Sequence, residues 1–192
     1  MYLSRRTTLG VLLTAGAGSR FTGPDHKLLA PLKGVPVVSY ALSSMVSAGF
    51  EACIAVTGSV ALSHLLGDVT EVHNPDWAAG QRSSVLAAIS YAKSHGFDAI
   101  VIGLGDQPFI TTDAWQAVAN AESPIAVATY DGVRGNPVLL TSEVWELFIN
   151  TDGDPDVGAR SLIHLHPELV GEVACKGNSA DIDTTEDLSK WI

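Results

Sequence analysis

Short apolar runs recur along this chain with helix-length segments between them, and no other feature constrains its fold as much. Thr8–Leu13 (TLGVLL), Ala52–Thr57 (ACIAVT), Ala99–Leu104 (AIVIGL) and Ile125–Thr129 (IAVAT) are continuous apolar stretches rather than alternating ones. A strand reads that way when both of its faces are covered. Helical segments are expected at Val37–Ala48, Ser83–Ser94 and Asp113–Ala121, and Val85, Ile89 and Ala92 have near-helical spacing for one buried face. Thr70–His73 and Leu169–Ala174 add two weaker strands, and Thr184-Thr-Glu-Asp187 reads as the capping box of a last helix. The alternation implies an α/β, Rossmann-like sandwich of three layers: a mainly parallel sheet with helices on both faces. No repeat, low-complexity tract or linker interrupts it, so residues 1–192 are expected to form one domain.

Composition narrows the function. A chain of this length buries about 70% of its unfolded surface and needs neither metal nor disulfide to fold. With 21 acidic against 11 basic residues the net charge is −10, which excludes a broad nucleic-acid-binding face. An anionic substrate would need those few cations gathered in one place. No apolar run reaches the roughly 18 residues of a membrane helix. Cys53 and Cys175 are too few for a four-cysteine zinc site or a disulfide framework, and are expected as reduced, buried thiols. Ser4-Arg5-Arg6 ahead of Leu9–Leu13, with Ala15-Gly16-Ala17 beyond, faintly resembles a twin-arginine export signal. The apolar run is short and leads straight into a glycine loop, however, so it is read as a first strand and the protein as cytoplasmic.

In a sheet of this kind, chemistry gathers where strands end. Four segments there have unusual composition. In Thr14–Lys27, Gly16 and Gly18 free backbone amides to approach an anion, and Arg20 and Lys27 supply positive charge. The loop is not a dinucleotide fingerprint, because Phe21 stands at the third glycine position. Nor is it a P-loop, because Pro24 follows Gly23 where lysine is required; an ordinary glycine-rich turn is the other reading. Asp106, in Gly103-Leu-Gly-Asp-Gln-Pro108, is placed to hold Mg²⁺ against phosphate oxygens or simply to cap a turn. Arg134-Gly-Asn-Pro137 reads as a loop whose Arg134 and Asn136 orient a second, acidic substrate, or as a plain turn. Asp181-Ile-Asp183 places two carboxylates on the same side of an extended chain, so that one site can receive either or both. The alternative is helix N-terminal charge complementing the dipole.

Together, LTAGAGSRF…HKLLAPLKGVPVV, NPDWAAGQRSSV, GLGDQPF, RGNPVLL, GARSLI and DIDTTEDL span nearly the whole chain. The series resembles the molybdenum-cofactor nucleotidyltransferases, most closely the molybdenum cofactor cytidylyltransferase branch. That resemblance implies a fold of the nucleotide-diphospho-sugar transferase type. It implies a first loop (Thr14, Ala15, Gly16, Gly18) that wraps a nucleoside triphosphate, with Arg20 and Lys27 on its phosphates. It also implies Mg²⁺ held by Asp106 and, from the last acidic pair, Asp183. Family members that use CTP carry Ala-Ala-Gly where GTP users carry Ala-Gly-Gly. Here Thr14-Ala15-Gly16 points to cytidine through Ala15 and departs from the pattern at Thr14. Gly80-Gln-Arg-Ser-Ser84 resembles the base- and ribose-recognising segment, with Gly80 and Ser84 as contacts; capping of a helix by Ser83 or Ser84 is compatible with that.

The implied reaction moves CMP from CTP to the terminal phosphate of the molybdopterin cofactor and releases pyrophosphate. It needs no protein nucleophile, and Arg20, Lys27 and Asp106 serve as the catalytic groups. The implied downstream partner is a client molybdenum hydroxylase. A guanylyltransferase, another nucleotidyltransferase with a different phosphorylated acceptor, and a non-catalytic nucleotide-binding maturation factor are the alternatives. His64, His95, His164 and His166 are expected on the surface or in packing, and Trp77, Trp115, Trp145 and Trp191 as core or interface anchors. Removing the charge of Asp106 is expected to leave ligand-free stability unchanged or slightly raised, through relief of repulsion from Asp183.

Overall fold

The computed structural model describes residues 6–151 and 158–192; Ser4 and Arg5 of the export-like segment lie outside them. Nine strands and six helices are described. The strands are β1 (Thr8–Leu13), β2 (Pro31–Leu32), β3 (Val35–Pro36), β4 (Ala52–Thr57), β5 (Thr70–His73), β6 (Ala99–Leu104), β7 (Ile125–Tyr130), β8 (Val133–Thr141) and β9 (Val170–Ala174). The helices are α1 (Val37–Ser47), α2 (Gln81–Ser94), α3 (Thr112–Ala119), α4 (Ser142–Asn150), α5 (Arg160–Leu165) and α6 (Thr185–Ser189). Seven strands form one sheet in the order β5-β4-β1-β6-β8-β7-β9, and β2 and β3 form a separate small hairpin.

Every strand of the large sheet except β8 runs the same way, β8 being antiparallel to both β6 and β7. The expected layering is present. Along β1, Leu9, Val11 and Leu13 join the core under α2, α4 and α5, whereas Leu12 joins the core under α1 and α3. Strands covered on both faces have no polar side to show, which is why their sequences do not alternate. A third, smaller cluster of Ala30, Leu32, Val37, Ile182 and Leu188 packs the hairpin and α6 against the start of α1. The capping box of α6 is formed, Thr184 and Asp187 each accepting from the other's backbone.

Three expectations need correction. The Arg134–Pro137 segment is not a loop; it lies in β8. The β7–β8 register skips there, from Ala128 opposite Gly135 to Val127 opposite Val138. Asn136 and Pro137 therefore sit in a bulge, where a proline without an N–H is tolerated. The cysteines are only half-buried, Cys53 being the second residue of β4 and Cys175 following the edge strand β9. Partial burial still pushes the Cys53 thiol up to about 11 and raises that of Cys175. Trp115 and Trp145 are core residues and Trp191 packs on Phe109, but Trp77 is only partly covered. Among the described residues no helix is long and apolar enough to cross a membrane.

Candidate active site

The loop after β1 is anchored through its carbonyls. Thr14 donates both its amide and its hydroxyl to the carbonyl of Val56, each at 2.9 Å, so this side chain is spent on the scaffold. The carbonyl of Ala15 accepts from the Ser59 amide at 3.0 Å, and that of Gly16 accepts from the Ser59 hydroxyl at 2.8 Å. Among the described residues, no group accepts from the amides of Gly16, Ala17, Gly18 or Ser19. A run of unspent amides on a loop of this kind suits an anion. Gly18 is left-handed, with φ +62°, which favours glycine there. Gly16 faces open space, and a Cβ on it would meet nothing within 4 Å.

Three chain segments then bring charge together. The Lys27 ammonium lies 2.5 Å from Asp106 Oδ2 and 2.7 Å from Asp183 Oδ1, and Arg20 reaches Asp183 Oδ2 at 2.9 Å. Lys27, Asp106 and Asp183 side chains are only 13%, 15% and 21% exposed, whereas Arg20 is 74% exposed. Burial alone would disfavour the ammonium. The Asp106 charge and hydrogen bonds from Lys27 to both carboxylates outweigh it and hold the Lys27 pKa above its ordinary value. The acidic tail is pinned by its backbone: Ile182 is fully buried and donates its amide to the carbonyl of Asp106 at 2.9 Å.

These residues fit a hard divalent cation. Asp106 Oδ1 is buried and has no hydrogen-bond partner, so one anionic oxygen is left over beside the Lys27 bridge. Among the described residues no cluster of three or more His, Cys, Asp or Glu side chains could enclose a metal. Mg²⁺ does not require one, since it is commonly held by one or two carboxylates together with substrate phosphates and water.

Asp181 and Asp183 face the same region but have different partners. Asp181 Oδ1 accepts from Gln107 Nε2 at 2.6 Å. Although Asp181 is open to the cavity, partial enclosure and then the charge of Asp106 push its pKa up. A carboxyl group raised in the folded state is most stabilising when protonated, and it loses that contribution as pH rises from its unfolded value of 3.8 through the raised one. Asp181→Asn is therefore expected to melt slightly above the unaltered protein at neutral pH, with the gap closing in acid. Thermal melts across pH would contradict this if the variant were the less stable at neutral pH.

Two adjoining cavities lie here, the first opening on Lys27 and Asp106 and the second reaching Asp181. The first, about 450 Å³, is lined by Thr14, Ala15, Gly16 and Lys27 of the loop, by Gly80 and Ser84, and by Asp106. Gly18 and Arg20 belong to the same loop but not to this wall. Trp77 and Gln81 also line it, neither having been singled out from the sequence as a ligand contact. Gly80 caps α2 with φ +102° and no side chain caps the helix. The serines are used otherwise: Ser83 donates to the carbonyls of Asp76 and Gly80, and Ser84 accepts from Asn74 at 3.1 Å. The first amides of α2 are thus left without a side-chain partner next to the cavity.

The second cavity, about 350 Å³, is lined by Arg134 and Asn136 together with Gln107, Asp181, Arg160 and His164. It shares Leu13, Gln81 and Leu104 with the first. Both expected acceptor residues are already engaged. Arg134 Nε donates to Glu172 at 2.8 Å, and the Asn136 side-chain amide donates to Gln107 Oε1 at 2.9 Å. His164 is exposed, in keeping with the surface expectation, and also lines this cavity. The motif GARSLI contained Arg160, but nothing in the order of residues told which cavity it would reach.

A model of the MobA-like NTP transferase domain matches residues 10–170. The chain belongs to that family. It is similar over its whole length to the purine catabolism protein PucB of Bacillus subtilis strain 168, with 31% identity over 93% of each chain. Among solved structures, a nucleotidyl transferase from Methanothermobacter thermautotroptrophicus superposes with a TM-score of 0.82 at 24% identity, over 96% of this chain and 95% of the other. Rv0371C from Mycobacterium tuberculosis H37Rv, solved in complex with manganese, gives a TM-score of 0.74 at 25% identity, over 96% and 97%. The MobA-like family assignment makes this chain a nucleotidyltransferase with the nucleotide-diphospho-sugar transferase type of fold.

Proposed function

We propose that this MobA-like chain works as a single cytoplasmic domain that moves CMP from CTP to the terminal phosphate of a molybdopterin-type cofactor, releasing pyrophosphate. The observation that carries the reading is the meeting of two cavities along Leu13, Gln81 and Leu104, beside Lys27 and Asp106. One cavity suits a triphosphate and the other an acceptor. CTP is favoured by Ala15 and by the Gly80–Ser84 segment at the cavity wall. The proposed client is a molybdenum hydroxylase, and the purine catabolism in PucB's name fits an oxidative client.

The residues divide the work. The loop amides and Arg20 receive the β- and γ-phosphates, and Lys27 turns from its carboxylates toward the triphosphate. Asp106 and Asp183 hold Mg²⁺, which when bound adds positive charge against the phosphate oxygens. The acceptor phosphate attacks the α-phosphorus directly from the second cavity and pyrophosphate departs from the first, so alignment and charge neutralisation carry the catalysis.

Pyrophosphate release with a panel of nucleoside triphosphates, Mg²⁺ and the pterin acceptor tests the reading. Turnover is expected with CTP, and a clear GTP preference would reverse the base assignment. Gly16→Val isolates the loop. A Cβ there would meet nothing within 4 Å in the ligand-free protein, so the melt should hardly move, while CTP affinity falls about tenfold or more, on the order of 1.4 kcal/mol. Unchanged CTP titrations for this variant would reduce the loop to a turn.

A further inference from the structure

Two side chains without a role in the mechanism above stand on one side of α5. Arg160 and His164 are four residues apart, so they project from the same helical face, and both line the second cavity. Arg134 reaches it from β8. Among the other lining residues, Val85, Ile102, Val127, Val138 and Ile163 are aliphatic, but Gln81, Gln107, Ser179 and the Asp181 carboxylate are polar. Bringing Arg134 and Arg160 to one cavity is conspicuous in a chain with a net charge of −10.

The reaction gives this arrangement a purpose. An acceptor phosphate brought beside a triphosphate is repelled by it and needs counter-charge of its own. Lys27 and Arg20 serve the triphosphate, Arg134 balances Glu172, and the Asn136 amide is spent on Gln107. Arg160 is also well placed along the cavity. Gly158, two residues before it, lies so close to Gln81 that a Cβ there would come within 2.8 Å of Gln81 Oε1. Because Gln81 lines both cavities, α5 begins close to the wall where they meet.

We propose that Arg160 and His164 clamp the phosphate of the acceptor, and that the acceptor body is a ring system with an apolar face and a polar edge rather than a polyhydroxylated sugar. Arg160 supplies a forked guanidinium and His164 a ring N–H, and the aliphatic residues receive the apolar face of the ring. This rests on nucleotidyl transfer across the two cavities, but not on CTP or molybdopterin as the particular substrates.

The test uses the full chain with its nucleotide site filled by a non-hydrolysable CTP analogue, titrated with phenyl phosphate and with glucose 1-phosphate and followed by NMR shifts. Phenyl phosphate is expected to bind at least tenfold more tightly than glucose 1-phosphate. Arg160→Ala and His164→Ala should each weaken it about tenfold. Arg160→Lys should retain part of the affinity, and CTP-analogue binding should stay within about twofold in all three variants. Equal phenyl phosphate binding in the unaltered protein and both alanine variants overturns the clamp, as does its failure to bind at all. A preference for glucose 1-phosphate overturns the ring assignment. If molybdopterin is not a substrate but Arg160→Ala still releases phenyl phosphate, the acceptor's identity fails and the clamp stands. If molybdopterin is used and its KM is indifferent to Arg160 and His164, the clamp fails and the acceptor stands.

Discussion

Asp106→Asn is expected to lower kcat by roughly 100-fold, about 2.7 kcal/mol of transition-state stabilisation. The competing role of turn cap is already weakened by the geometry. The turn after β6 is tied to the acidic tail by the Asp106 carbonyl, which asparagine retains, while its side chain points Oδ2 at Lys27 and leaves Oδ1 unpaired. An amide of the same size keeps the shape and loses the anionic oxygen that Mg²⁺ selects. Ligand-free stability is expected to fall by about 1–3 kcal/mol, the worth of a hydrogen bond to a charged group. That reverses the sequence-based expectation of no change or a slight gain. Lys27 lies between the two carboxylates, so Asp106 is held by attraction to Lys27 and not strained by Asp183 alone. Pyrophosphate release at saturating Mg²⁺, alongside melts with and without the ion, checks both parts. Turnover at the unaltered rate would remove Asp106 from the metal site and the mechanism with it.

The parts legible in the sequence are those whose environment is local or uniform. Thr8–Leu13, Ala52–Thr57, Thr70–His73 and Ala99–Leu104 have the expected bounds, and Ile125–Thr129 extends by one residue. Four of these, β1, β4, β6 and β7, lie inside the sheet and are apolar along most of their length, so their sequences alone report them, whereas β5 is a largely exposed edge strand with a weaker signal. Strand β8 was hidden because its identity is non-local. Arg-Gly-Asn-Pro is turn chemistry, and only pairing with β6 and β7 across a bulge makes it strand. The same limit governed the site. Motif order indicated Lys27, Asp106 and Asp183, and the fold brings them together from positions 156 residues apart. Gln107 lay inside a quoted motif, yet its two-sided link from Asp181 to Asn136 depends on segments that meet only in three dimensions. Arg160 and His164 were invisible for the same reason. Nothing along the chain says that the face of a six-residue helix will look into a cavity.

Lys27→Met should have the largest effect on the folded protein. Methionine approximates the length of the lysine stem, so the variant removes chiefly the ammonium. Asp106 then loses the sole partner of its side chain among the described residues, and Asp183 keeps only the exposed Arg20. Stripping one member from a largely buried ionic group costs about 3 kcal/mol, which for a chain of this size lowers Tm by roughly 6–12 °C. Because the Lys27 pKa is raised on folding, this stabilisation is complete at neutral pH and is lost only as pH climbs past the ordinary lysine value. Turnover should fall with the melt, since the triphosphate loses its least exposed cation. Divalent metal should act in the opposite direction. In the unaltered protein the ammonium lies within 2.7 Å of both candidate ligands and competes with a metal for their charge. In the variant, two adjacent carboxylates carry unspent negative charge. Mn²⁺ or Mg²⁺ should therefore raise the Tm of Lys27→Met more than that of the unaltered protein without any nucleotide present, and Mn²⁺ binding followed by electron paramagnetic resonance should tighten. A low-melting variant that neither ion rescues would show that Asp106 and Asp183 serve Lys27 alone, leaving any metal to be held by the triphosphate.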